Sequence, residues 1–340
     1  MRDLETCLRR GVPAQPFGFP IADGFFVRLA NATYHDYATC GAVMAEVWNR
    51  AIAQFDLDWA GPFVDDLFEY EPLGIESADG PDRPYAVTRY LPAARASLAR
   101  LALPDPRRDG RMPARLEAIA RLRARWGRDI VICNSVAAPF AGLTLLYGID
   151  ATMLAVYDDP GLLKRTMTFL EELAVAWGQA LLAAGSDLIW LGDCSASSRF
   201  LSLDMYRDFA LEPARRVTAA LRDAGAKVIY HAGENKLNHL RAALDVGADV
   251  LSVESGIDLA DVQRAIGGQT CLSGNLDGIN LIWLKTPAEI EAEARRLVRE
   301  VACRGGVIVN TGEGIPDQAP VANVAALLRA IREAWPGPRA

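Results

Sequence analysis

Five short apolar runs in the C-terminal two-thirds of the chain each end on a polar side chain that can bind a metal or move a proton. They give Asp193 in Leu191-Gly-Asp-Cys194, His231 in Ile229-Tyr-His-Ala-Gly-Glu234, Glu254 in Ser252-Val-Glu-Ser-Gly256, Asn275 in Ser273-Gly-Asn-Leu-Asp277 and Glu313 in Asn310-Thr-Gly-Glu-Gly314. One imidazole among several carboxylates suits a divalent metal, since Zn²⁺ accepts both donor types. The same set suits proton transfer, because crowded acids push one pKa upward. The residue types leave both chemistries open. Each residue also has a plainer explanation, as Asp or Asn after a strand often caps the next helix. That is the reading for Asp277 and Asn235, whereas Asp193 suits a cap and a site equally. A lone His at a strand end is usually structural; the carboxylates at equivalent positions raise His231 above that. His239, inside the following helix, and His35, in an N-terminal loop, read as structural or surface residues.

The elements that must carry these residues repeat one pattern. Strands are expected at Asp187–Leu191, Lys227–Tyr230, Asp249–Val253, Gln269–Ser273 and Gly306–Asn310, with helices near 203–224, 235–246, 258–267, 286–302 and 320–334. Continuous Val/Ile/Leu runs suit parallel strands covered on both faces, and glycine at a helix end before the next strand recurs. Five such units in succession predict a closed α/β barrel, whose catalytic groups project from the carboxyl ends of the strands. Upstream, the pattern predicts a helix at Tyr37–Phe55, strands at Leu57–Gly61 and Arg128–Cys133, and helices near 113–126 and 160–184. Pro72–Asp109 reads as an excursion with irregular pairing, and Pro336-Gly-Pro338 as a frayed tail.

Bulk properties narrow the function. A chain of 340 residues, 51% hydrophobic and 23% charged, can bury a large core as one domain over 1–340. A net charge of −7 supplies no basic field for nucleic acid or anionic membrane. No apolar run approaches the roughly 18 residues of a membrane span, and the N-terminus has no secretory apolar core. The six cysteines form no CxxC pair and read as reduced thiols of a cytoplasmic protein. Cys194 alone among them falls at a strand end. No GxGxxG or Walker pattern supports nucleotide binding.

Several of these segments resemble the uroporphyrinogen decarboxylase superfamily. They are His231-Ala-Gly-Glu-Asn235, Ser273-Gly-Asn-Leu-Asp277, and Asn310-Thr-Gly-Glu-Gly-Ile-Pro316 with Pro320 and Asn323. Ala138-Pro-Phe-Ala-Gly-Leu-Thr144 with Tyr147-Gly148, Asp193-Cys-Ser-Ala-Ser197 with Leu201–Tyr206, and Phe63-Val-Asp-Asp-Leu67 with Leu73–Glu76 also fit. The resemblance spans roughly residues 30–335 and implies a (β/α)₈ TIM barrel. Porphyrinogen decarboxylases carry an arginine-rich N-terminal motif for substrate carboxylates; Pro13–Asn31 offers only Arg28. The chain is more similar to the corrinoid methyltransferases, such as the methylcobamide:coenzyme M enzymes. Their zinc is held by a His-x-Cys-Gly motif and a later Cys. Here His231 is kept, while Gly233 and Glu313 stand at the two thiolate positions.

The resemblance therefore implies a methyltransferase moving a methyl group between a small methylated substrate and a corrinoid (cobalamin) partner protein, as the demethylating component. Its expected metal-binding residues are His231, Glu254 (or Glu234) and Glu313, around zinc. Asp65, Asp193 and His231 are the expected catalytic residues; Tyr147, Cys194 and Asn275 are expected to meet substrate. Two alternatives remain: a metal-free carboxy-lyase, signalled by a cationic pocket in which arginines such as Arg28, Arg89 or Arg199 converge near Asp65, and a non-catalytic binding protein.

Overall fold

The computed structural model describes residues 2–335 apart from Pro16, Val64, Pro81 and Asp82; the expected frayed tail lies outside them. The strands are β1 (Trp59–Ala60), β2 (Glu76–Gly80), β3 (Arg83–Arg89), β4 (Val131–Ala137), β5 (Leu188–Gly192), β6 (Lys227–His231), β7 (Val250–Ser252), β8 (Cys271–Leu276) and β9 (Val307–Thr311). Seven of them form one parallel sheet in the order β1-β4-β5-β6-β7-β8-β9. All residues of β4 and β9 are buried, as expected of parallel strands covered on both sides.

The ring expected to have eight strands is less regular at its start. Beyond β9 the sheet continues only as a single parallel bridge from Gly18 to Val309. Phe19 N donates to the Val309 carbonyl and Val309 N to that of Phe17. Among the described residues no backbone hydrogen bond joins this segment to β1. Side chains fill that place, with the Phe19 ring edge-on to Trp59 at 4.4 Å. The physical reason is length: three residues at one end and two in β1 offer few ladder groups.

Helix signals largely hold. Asp159, Asp258 and Thr286 accept from backbone N–H groups in the first turns of Pro160–Ala184, Leu259–Ile266 and Pro287–Glu300, the last with a reciprocal bond from Glu289. Asp277 caps as expected, accepting from Ile279 and Asn280. Asn235 does not; its amide donates to the Ser255 carbonyl and ties two loops together. The excursion 72–109 contains the antiparallel β2–β3 hairpin. Pro139–Tyr147 and Ile149–Asp158 form two further helices that meet at 113°. No single helix is long and apolar enough to cross a membrane.

Candidate active site

A cavity of about 280 Å³ opens at the carboxyl ends of the strands. Cys194, His231 and Glu313 line one part of it, and they are the one group among the described residues whose donor atoms could share a metal, all lying within 4.8 Å of one another. His231 is the last residue of β6 and is 3% exposed. Its Nδ1 is hydrogen-bonded with Ser252 Oγ at the end of β7 (2.9 Å), so Nε2 is left for the cavity, 3.5 Å from Glu313 Oε1. The Trp190 ring packs at 4.8 Å and fixes the imidazole plane. Burial alone would lower the His231 pKa, but its interactions with the neighbouring Cys194 and Glu313 win and hold it at about 10. Burial raises Glu313, and the His231 bond and charge more than reverse this, leaving its carboxyl below the ordinary range.

The donor set differs from the expected one. Cys194 is the third member, and Glu254 is not. Arg199 pairs with Glu254 Oε1 and holds the carboxylate aside, while Oε2 is buried without a partner. Glu234 is also unavailable, since its carboxylate accepts from Ser198 N, Ser198 Oγ, Asn235 N and Lys236 N. A Cβ built on Gly233 would lie 3.7 and 3.8 Å from Cα and Cβ of Cys194. The sulfur that the resembled enzymes carry after β6, and that Gly233 lacks, has its nearest counterpart here in Cys194 of the loop after β5. Gly233 itself has φ +60°, where a side chain is disfavoured.

The other expected residues scatter. Asp193 lies beneath the cavity, fully buried. Its Oδ1 accepts from Ala141 N in the first turn of Pro139–Tyr147, and its Oδ2 from the Tyr230 hydroxyl. Burial pushes its carboxyl up to about 7 against those two bonds and His231. It braces the start of a helix that precedes β5, whereas the short helix that follows it, Cys194–Ala196, has no side-chain cap bond, so the expected cap of the next helix is not made. The Tyr147 hydroxyl bonds Thr166 Oγ1 at 3.0 Å, inside the helical layer and away from the cavity. Asn275 donates to the carbonyls of Glu254 and Ile257 and braces the loop after β7. Cys194 reaches the cavity, but as a donor atom beside His231. Asp65 reaches it too, with both oxygens bound by Arg111 at 2.9 Å.

Sequence reasoning missed the rest of the lining: Asp23, Phe63, Asp66, Ser135, Thr144, Trp190 and Ser195. Phe63, Asp66, Thr144 and Ser195 stood inside segments quoted above without being singled out; Asp23, Ser135 and Trp190 carry no spacing signal. Arg111 was missed as well. It bridges Asp65 and Glu71 between the faces of Phe68 and Tyr85. The arginines expected to signal a carboxy-lyase sit elsewhere: Arg28 on the Asp317 and Ala319 carbonyls, Arg89 on Glu76 and Arg199 on Glu254.

A curled parallel sheet with donor side chains gathered at its carboxyl edge is the layout of barrel-type enzymes. Residues 22–334 match the family model described as uroporphyrinogen decarboxylase, and the chain belongs to that family. It is similar to the methylated-thiol–coenzyme M methyltransferase of Methanosarcina mazei, 27% identical over 94% of this chain and 84% of the relative. A second relative is the methylcobamide:CoM methyltransferase MtbA of Methanosarcina acetivorans, 27% identical over 64% of this chain and 62% of its own length. The solved structure of a methyltransferase from Methanosarcina mazei superimposes with a TM-score of 0.85 and 24% identity, covering 97% of each chain. That likeness establishes the fold.

Proposed function

We propose that this protein is a corrinoid-dependent methyltransferase that takes a methyl group from a small methylated substrate and passes it to a corrinoid held by a partner protein. In this reading the chain is one domain whose ring, including Gly18, acts as an eight-stranded barrel. The observation that carries the proposal is the donor triad: a sulfur, an imidazole nitrogen and a carboxylate oxygen within 4.8 Å, facing a cavity of about 280 Å³. The relatives support the corrinoid and the methyl group; the triad supplies a place to work on the donor atom.

The residues present fit a zinc ion. Sulfur, nitrogen and oxygen donors all suit it, and three protein ligands leave the fourth position open, the pattern of catalytic rather than structural sites. Ser252 fixes the His231 ring by its other nitrogen, the usual outer support of a metal-binding imidazole. Zinc bound there would supply Lewis acidity to the heteroatom that carries the methyl group. The chain does the remainder. Cys194, His231 and Glu313 hold the heteroatom's position, Trp190 and Phe63 narrow the cavity and displace water, and Thr144 and Ser195, bonded to each other at 2.9 Å, offer a polar edge. Asp65 is occupied by Arg111 and keeps the wall in shape rather than moving protons.

A metal-free carboxy-lyase is the weaker reading, because no Lys or Arg is among the residues lining the cavity to receive substrate carboxylates. The test supplies cob(I)alamin and methylated thioethers, ethers and amines to the purified protein, and follows methylcobalamin by absorbance with metal content measured in parallel. Formation of methylcobalamin that stops on chelation supports the proposal. Silence across all donors, or full activity without metal, would sink it.

A further inference from the structure

The cavity has two chemically unlike walls. Besides the donor triad, the lining holds Asp23, Asp65 and Asp66, and no lysine or arginine among the described residues. Asp65 is neutralised by Arg111. Asp23 and Asp66 take part in no ion pair among the described residues; the Arg115 charge is felt by both, and Ser135 bonds Asp66. Arg115 is fully buried behind the wall, with its guanidinium directed at the Ser135 and Asp65 backbone carbonyls and stacked over Phe68. It also serves Glu69.

Five carboxyl groups (Asp23, Asp65, Asp66, Glu69, Glu71) therefore share two guanidiniums (Arg111, Arg115). Burial holds Glu69 at about 8, so near neutrality it is protonated and removes itself from the count. Four carboxylates against two cations still leave the wall short of positive charge. Asp66 is exposed and Asp23 half-buried, so neither carboxyl group is walled off from a ligand in the cavity. The same space is edged by Phe63 and Trp190, whose ring centroids are 6.4 Å apart at 59°. Aromatic faces beside carboxylates attract cations, alkylated ones included.

We propose that the substrate carries a positively charged ammonium or onium group, seated by Asp23 and Asp66 against Phe63 and Trp190, while its methyl-bearing heteroatom faces Cys194, His231 and Glu313. The methyl part rests on the function proposed above; the charge does not. The missing cation is supplied by the ligand, and an anionic ligand meets repulsion from the same wall.

Calorimetry with three thioethers of equal reach isolates the charge: 2-(methylthio)ethylammonium, 2-(methylthio)ethanol and 2-(methylthio)ethanesulfonate. Tetramethylammonium, added as a fourth probe, separates a fully alkylated onium from a hydrogen-bonding ammonium. The ammonium thioether is expected to bind about tenfold more tightly than the alcohol, and the sulfonate more weakly than both. Asp23→Asn and Asp66→Asn should each cut the cation-to-alcohol ratio about fivefold while alcohol binding persists, which shows that the cavity is intact. Equal affinities, a preferred sulfonate, no binding of either cation, or a ratio unmoved in both variants overturns the proposal. Binding needs neither corrinoid nor turnover. Selectivity without methyl transfer therefore breaks only the proposed reaction, and methyl transfer without selectivity breaks only this inference.

Discussion

The two walls of the cavity hold similar residue types and use them oppositely. On the wall built from residues 65–115, Arg111 binds both oxygens of Asp65 and both of Glu71, and Asp66 alone of these three acids is in no ion pair among the described residues. On the other wall, Cys194, His231 and Glu313 bring three lone-pair donors together, and Ser252 engages only the far nitrogen of the imidazole. A buried charge whose hydrogen-bonding positions are filled is scaffold, because moving it costs its partners. The triad, in which His231 and Glu313 pair at 3.5 Å beside the Cys194 sulfur, instead faces the cavity, where a ligand can reach it.

Substitutions can break this contrast, and the largest effect is expected on the scaffold wall. Arg111→Ala leaves Asp65 and Glu71 buried and uncompensated and should destabilise the fold by about 3–5 kcal/mol, read as a drop in Tm, while the folded fraction keeps its metal. If metal is lost at unchanged Tm, the assignment of the two walls is reversed. His231→Ala should weaken metal binding by about a hundredfold or more, a little under 3 kcal/mol, seen by elemental analysis after dialysis; retention of one metal per chain would mean the ion sits elsewhere. Cys194→Ser keeps the size of the side chain and removes the sulfur. Its cobalt-substituted form should lack the sulfur-to-metal charge-transfer band of the parent, with affinity down about tenfold. Ser252→Ala should lose roughly tenfold in metal affinity through imidazole orientation alone, with the charge-transfer band retained.

A pH-dependent effect belongs to Glu69, on the scaffold side. Its folded-state value of about 8 lies above the ordinary 4.5, so between those pH values the folded chain binds the proton that the unfolded chain has released. The stabilisation is complete below about pH 4.5 and is lost as pH rises through about 8. Glu69→Gln should flatten that part of the stability profile by about 1 kcal/mol per pH unit, measured by denaturant titration at pH 5, 7 and 9. An unchanged slope would show that Glu69 is ionised in the fold.

The second half of the molecule was legible because each unit repeats. Apolar runs with glycine between them place β5 to β9 within a few residues of their observed bounds, and the strand-end positions bring His231 and Glu313 together. Cys194 sits at the expected rim as well, but its role depends on the distance across β5 and β6, which no linear spacing contains. The first half resisted for physical reasons. Pro139–Tyr147 is buried on nearly every side, so no amphipathic period marks it as a helix. The β2–β3 hairpin is mostly exposed and has no apolar alternation. Gly18 pairs through one bridge, too short for any pattern. Asp23 and Asp66 reach the cavity by chain folding alone.

The exchange between Gly233 and Cys194 has a consequence for how such sites are recognised. A search along the chain for His-x-Cys returns nothing here, yet a sulfur stands within 4.8 Å of the imidazole. What defines the centre is a polyhedron of atoms, and any vertex can be furnished from whichever loop passes close by. A linear pattern misses this donor group because its sulfur and its imidazole come from neighbouring strand ends that are close in space and 37 residues apart in sequence.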